Sequence, residues 1–279
     1  MKEDTVNPNA PAISVPRLQA ELGGQEPPIV IDVRRSPAFR EATRMLSGAL
    51  HRDPDGVTSW VESLPAGGSF IAYCVHGGEV SQHVAKALGE RGIAARYLEG
   101  GIEAWLTAAG ALDVKPAGAA TRWITRERPK IDRIACPWLI ARFVDADAEF
   151  VYVPTPDVLR GARQRHAVPY DIPDVHFSHE GERCSFDAFL KHYRLRDPAL
   201  AQLALIVRGA DTSHLELAPQ APGLAAISLG LSRNFVDDHE MLTHGLVMYD
   251  ALYRWCREGR DELHTWSPRL SRTGVTGVT

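Results

Sequence analysis

The chain has 279 residues, 44% of them hydrophobic and 24% charged, with a formal charge of -4. That composition belongs to an ordinary folded protein and excludes disordered, fibrous and disulfide-stapled classes. There is no Lys/Arg-rich stripe to track a phosphate backbone and no apolar run of about eighteen residues, so nucleic acid and membrane are not expected as partners.

The length sets two domains with separate cores as the starting expectation. The opening MKEDTVNPNAP lacks the apolar core of a signal peptide, which predicts a cytoplasmic protein. Cys74, Cys136, Cys184 and Cys256 form no CxxC pair and are expected to be free thiols.

In chain order, the apolar runs Ile29 to Val33 and Ser69 to Cys74 predict buried parallel strands. Val80, Val84, Ala87 and Leu88 recur at helical spacing up to Arg91, with Gly92 where a left-handed cap is wanted. Ala94 to Leu98 predicts a further strand, and Gly100-Gly101 turns the chain into a helix carrying Ile102, Trp105 and Leu106. Strands alternating with helices imply an α/β domain over residues 1–110.

The small, weakly apolar stretch after Thr107 predicts a linker, placed at 111–120. Beyond it, a second, mostly α (α+β) domain is expected over 121–265, with a flexible tail at 266–279. Its helices are predicted at Pro137 to Asp145, Pro198 to Arg208 and Val236 to Arg257, and its short strands at Glu149 to Pro154 and Val175 to Phe177.

A thiol acts as a nucleophile only as thiolate, and backbone N–H groups with a helix N-terminus favour that form. Cys74 ends an apolar strand and precedes Val75-His76-Gly77-Gly78-Glu79-Val80, a glycine-containing loop that opens a helix. Such a loop can cradle an anion with its amides, here a cysteine persulfide or the oxyanion of a sulfur donor, without any cofactor. The catalytic candidate is therefore Cys74, with the loop Val75 to Val80 and Arg34 as the anion or substrate site. His76 could add positive charge or simply be solvated; Arg34 could face the loop or the surface; Asp32 is expected to be structural.

Ile31-Asp32-Val33-Arg34, Tyr73-Cys74-x-x-Gly77 with its following helix, and Tyr97-Leu98-Glu99-Gly100-Gly101-Ile102-Glu103-Ala104-Trp105 together resemble the rhodanese family, across about residues 12 to 110. The resemblance implies a parallel sheet flanked by helices and a Cys74 persulfide that passes sulfane sulfur to a thiol or cyanide-like acceptor. Many active members carry Arg, Lys or Ser where Glu79 and Val80 stand here, and a carboxylate opposes an anionic donor such as thiosulfate.

In the second half, eight of the eleven histidines and three of the four cysteines lie after residue 120, so a metal site is expected there. A mixed His/carboxylate set suits iron, manganese or zinc, and the candidates are His179, Asp211, His239 and His244. Cys136, expected near a helix N-cap before Pro137, and Cys184 are candidate reactive thiols, with burial beside Trp138 the alternative for Cys136. DRIACPWLIARF, EFVYVP, GERCSFDAF, IVRGADT and YDALYRWC resemble the C-terminal domain of the chromate-resistance protein B family, over about residues 121 to 258. That resemblance implies a role in chromate or oxidative stress, with chromate or another oxyanion as a further partner.

Three readings follow: a sulfurtransferase using Cys74; a thiol or metal sensor or docking protein in which Glu79 has disabled transfer; and a metal-dependent redox enzyme acting on superoxide or chromate in the second domain.

Overall fold

A computed structural model describes residues 10–64, 68–115 and 121–260. The expected tail at 266–279 and the second half of the expected linker, 116–120, lie outside the described residues.

The first half is built on five parallel strands in the order β1-β6-β5-β2-β4: β1 (Ala12–Ile13), β2 (Ile29–Asp32), β4 (Leu50–His51), β5 (Phe70–Tyr73) and β6 (Ala95–Leu98). Every residue of β2 and β5 is buried, as the unbroken apolar runs require when helices cover both faces. The helices are α1 (Val15–Leu22), α2 (Ser36–Glu41), α3 (Val57–Trp60), α4 (Glu79–Gly89) and α5 (Gly101–Thr107). Gly92 takes φ +74 beyond the end of α4, the left-handed turn its position predicted.

A separate ribbon pairs β3 (Arg44–Leu46) antiparallel with β7 (Leu112–Val114). The beginning of the expected linker is therefore a strand, held because Asp113 accepts from Ser47 Oγ (3.0 Å) and Gly48 N (2.8 Å).

The second half sets the parallel strands β8 (Arg122–Arg126), β9 (Glu149–Val153) and β10 (Val168–Pro169), in the order β10-β8-β9, beside a helical assembly. Its helices are α6 (Asp132–Leu139), α7 (Val158–Arg165), α8 (Ser185–His192), α9 (Pro198–Asp211), α10 (Ala221–Asn234) and α11 (Asp238–Arg254). Trp138 is fully buried at its centre against Phe143, Phe186, Tyr249 and Tyr253.

Two expectations need correction here. Val175 to Phe177 is no strand; Phe177 makes one isolated bridge to Tyr170. Pro137 does not open a helix: α6 begins at Asp132, Pro137 lies inside it, and the helix closes in a π turn over Ile140–Val144. The apolar positions Ile134, Ala135, Trp138 and Leu139 make that segment worth burying as helix despite the N–H that proline lacks.

The halves are joined by buried and half-buried polar groups. Arg52 donates to the Phe143 carbonyl at 2.9 Å, Asp113 meets His192 Nε2 at 2.8 Å, and one core cluster runs through both halves. Among the described residues, no helix is long and apolar enough to cross a membrane.

Candidate functional site

Strand β5 is anchored at its end by Tyr73, whose hydroxyl donates to Asp32 Oδ2 (2.6 Å) and accepts from Leu46 N (3.1 Å). The next residue, Cys74, is 7% exposed and lies in a cleft of about 380 Å³ lined by Arg35, His76, Glu79 and Val80, among others.

The Gly100-Gly101 turn shapes the loop. Ile102 N donates to the Cys74 carbonyl (3.0 Å) and Glu103 N to the Val75 carbonyl (3.3 Å). Gly101 has φ +57, and a Cβ there would lie 2.4 Å from both carbonyl oxygens. Gly77, at φ +69, approaches the Leu98 carbonyl so closely that a Cβ would lie 2.4 Å from it. Two of the motifs noted in the sequence are thus two sides of one backbone contact.

With the carbonyls of Cys74 and Val75 tied to α5, the loop amides are left open. Among the described residues, no amide from His76 to Ser81 donates to a protein acceptor. Among the described residues none of them donates to the sulfur, where an amide cradle was expected; the sulfur's hydrogen-bond contact is the Ser81 hydroxyl at 3.2 Å, which also reaches the Gly78 carbonyl (3.2 Å). Ser81, one turn into α4, was missed in the sequence, where only its place three residues after Gly78 in the first turn marked it.

The cationic side chains of the cleft are already engaged. Arg34 is buried and grips Asp32 with Nε (2.9 Å) and Nη2 (2.5 Å), so it lines the cleft with its charge committed elsewhere. This corrects the expectation of Arg34 as an anion-binding group. Arg35 pairs with Asp55 at 3.1 Å, and His76 Nδ1 with Glu103 Oε2 at 2.9 Å. Glu79 stands in the first turn of α4 and lines the cleft.

A second constellation forms where α6, α9 and the segment after β10 meet. His179 Nε2 lies 3.4 Å from Asp132 Oδ2, 3.4 Å from Asp171 Oδ1 and 3.2 Å from Asp211 Oδ2. Asp132 is 2% exposed, and its Oδ2 has no hydrogen-bond partner. Burial pushes the Asp132 carboxyl up to about 8 and raises that of Asp211. Burial would raise Asp171 as well, but His179, Arg126 and Ser185 outweigh it and hold it below the usual range. The neighbouring carboxylates of Asp132 and Asp171 lift His179 to about 10.

The backbone is strained on both sides of this cluster. Ile131, a β-branched residue, has φ +42, fixed by Ser228 Oγ on its N–H (2.8 Å) and the Tyr249 hydroxyl on its carbonyl (2.8 Å); Asp171 has φ +52.

Of the four expected metal ligands, the fold brings together His179 and Asp211. His239 lies against Tyr152 and His244 stacks on Phe235 at 4.4 Å, so neither joins them. The reason is the route of α11, which sets both histidines against aromatic rings instead. Asp132 takes their place, and the signal for it was present: it shares a helical face with Cys136 and Leu139, an apolar stripe where a carboxylate is out of character.

Cys136 and Cys184 are fully buried, and desolvation with nearby carboxylates raises both thiols well above their ordinary range. Sealed from solvent, neither presents the accessible thiol expected of a reactive cysteine. Cys256 is also buried, its thiol pushed up to about 11.

Comparison with known proteins falls into two blocks that follow the fold. The family "Rhodanese-like domain" matches residues 14–108 and the family "ChrB, C-terminal domain" matches residues 123–256. Protein ChrB of Cupriavidus metallidurans is 32% identical over 135 residues, 47% of this chain and 40% of that protein; the chain thus spans less than half of this curated relative. A rhodanese-like domain protein from Staphylococcus aureus is 24% identical over 38% of this chain and 99% of its own, with TM-score 0.33. A rhodanese-related protein from Thermoplasma volcanium is 17% identical over the same shares, with TM-score 0.34. Residues 14–108 are therefore a rhodanese-like domain and residues 123–256 a ChrB C-terminal domain, two families joined in one chain.

Proposed function

We propose that the first domain is a sulfurtransferase in which Cys74 carries the sulfur. The observation that carries this reading is a thiol in an open cleft beside a run of amides that no protein acceptor uses.

The Cys74 thiolate attacks the outer sulfur of a donor; the donor S–S bond breaks, and its electron pair leaves with the thiol or sulfite fragment. An acceptor thiolate or cyanide then attacks the outer sulfur of the persulfide, the Sγ–S bond breaks, and the Cys74 thiolate returns. Open amides can hold the persulfide or the departing anion, and Ser81 can donate to the thiolate. No further cofactor enters these steps.

The charge around the cleft selects among donors. Arg34 and Arg35 are paired with Asp32 and Asp55, and Glu79 adds a negative charge. Small persulfides of low charge suit this cleft better than the thiosulfate dianion. The ChrB-type domain supports a setting in chromate or oxidative stress, with chromate or a related oxyanion as the agent met. Four unbridged cysteines suit a reducing compartment such as the cytoplasm.

Sulfur transfer by the full chain from thiosulfate and from a small persulfide, compared with Cys74→Ser, tests the assignment. Turnover should be faster with the persulfide and should fall to background in the variant. Equal rates for the two proteins would remove the enzyme. The second reading, a docking or sensing module, is favoured by the 7% exposure of Cys74 and would then stand.

A further inference from the structure

The second cluster owes nothing to Cys74. No residue lines both the Cys74 cleft and the clefts that border His179. Its side chains come from three separate places: Asp132 opens α6, Asp211 ends α9, and His179 follows β10. Chain segments this far apart converge on one imidazole, with three carboxylate oxygens at 3.2 to 3.4 Å from its Nε2.

The ion pairs of the cluster are unevenly shared. Asp171 is answered by Arg126 at 2.6 Å and Arg133 at 3.2 Å, and Ser185 donates to it. That leaves Asp132 and Asp211 facing one histidine, and Asp211 stands at the carbonyl end of a 14-residue helix, where the peptide dipoles disfavour a negative charge. Asp132 Oδ2 is deeply buried and, although His179 Nε2 lies 3.4 Å away, makes no hydrogen bond, a cost that a bound cation would offset.

The spacing says what would meet it. Two donors bound about 2.1 Å from one metal at adjacent positions lie about 3.0 Å apart in an octahedron and about 3.4 Å apart in a tetrahedron. The His179 contacts fall in that interval, and the ligand atoms of Asp132, His179 and Asp211 all lie within 4.8 Å of one another. Two carboxylates and a neutral imidazole would balance a divalent charge.

We infer that His179 Nε2, Asp132 Oδ2 and Asp211 Oδ2 form a binding site for one divalent transition-metal ion, with Asp171 as a neighbouring carboxylate held by arginine. One nitrogen and two oxygens suit manganese, iron or zinc, and a set without thiolates disfavours softer ions. His179 is 41% exposed at its side chain and borders clefts of about 610 and 480 Å³, so the ion would keep an open side toward water or an oxyanion.

The test uses the full chain, stripped with a chelator and dialysed, then titrated separately with Mn2+ and Zn2+ by calorimetry, with metal content read after desalting. One ion per chain is expected to remain for at least one of the two metals. Asp211→Asn and His179→Gln should each weaken binding by at least about tenfold. Cys74→Ser should leave it unchanged. His179→Gln replaces a partly exposed side chain, and its circular dichroism must match the parent, which separates lost ligation from lost fold. Retention of no ion by the parent, or equal binding by parent and folded His179→Gln, overturns the site and leaves His179 as an imidazolium caged by carboxylates.

Discussion

The Cys74 loop and the Asp132–His179–Asp211 cluster face opposite electrostatic tasks, and the fold solves them with different material. At Cys74 the attraction for an anion comes from backbone amides freed by two left-handed glycines, while nearby side-chain cations are neutralised. At His179 the attraction proposed for a cation comes from side chains on three segments, one of them with a buried carboxyl oxygen that makes no hydrogen bond. A backbone site is fixed by conformation, here of two short glycine motifs, Cys74 to Val80 and Gly100-Gly101, that fold onto each other. A side-chain site draws on distant residues and depends on how the helices pack.

Substitutions that touch one kind of material should therefore spare the other. The largest effect is expected for Gly101→Ala. A left-handed alanine costs about 1 kcal/mol before any clash, and here its Cβ would lie 2.4 Å from two carbonyl oxygens. The loop must shift, and sulfur transfer should fall by at least about 100-fold, because a small displacement of a reacting group is that costly. Metal titration of the same protein should be unaltered; a parallel loss there would mean that the two sites are not independent.

A pH experiment sharpens the other side. The pKa values of Asp132 (about 8) and His179 (about 10) are both raised, so the folded state holds these protons more tightly than the unfolded chain does. Stability of the chelated protein should therefore fall as pH rises from about 6 to about 9, first as Asp132 ionises and then as His179 begins to lose its proton. Urea unfolding at both ends of that window should show the loss in the parent and a smaller one in Asp132→Asn. A flat profile in the parent would remove the buried carboxyl from the account.

The smallest effect belongs to Ser81→Ala. Losing one hydroxyl contact to sulfur should slow transfer by roughly 3- to 10-fold, the size of a single hydrogen bond. Steady-state rates with a persulfide donor measure it, and an unchanged rate would leave the open amides as the whole of the anion site.

These contrasts explain what could be read early. The strands at Ile29 and Phe70, the glycines of the Cys74 loop and the left-handed Gly92 were legible because each carries a short local pattern of burial or turn residues. Ser81 was missed although it is local, since a serine in a first helical turn ordinarily serves the backbone. The ribbon strand Leu112–Val114 was read as linker because its partner, Arg44–Leu46, lies far back in the chain. The metal set was half legible: histidine and cysteine enrichment pointed to the second domain, but His239 and His244 were chosen over Asp132.

The sequence by itself determined the alternation of strands and helices in the first domain, the candidate thiol and its glycine loop, and the likeness of each half to a known family. All of these rest on short-range patterns of burial, turn chemistry and motif order. Only the tertiary structure decided that Arg34 belongs to Asp32, that Cys136 and Cys184 are sealed in the core, and that Asp132 meets His179 and Asp211. Those outcomes depend on which helix faces pack together, and that choice is made by the summed burial of many side chains rather than by any residue's neighbours in the chain.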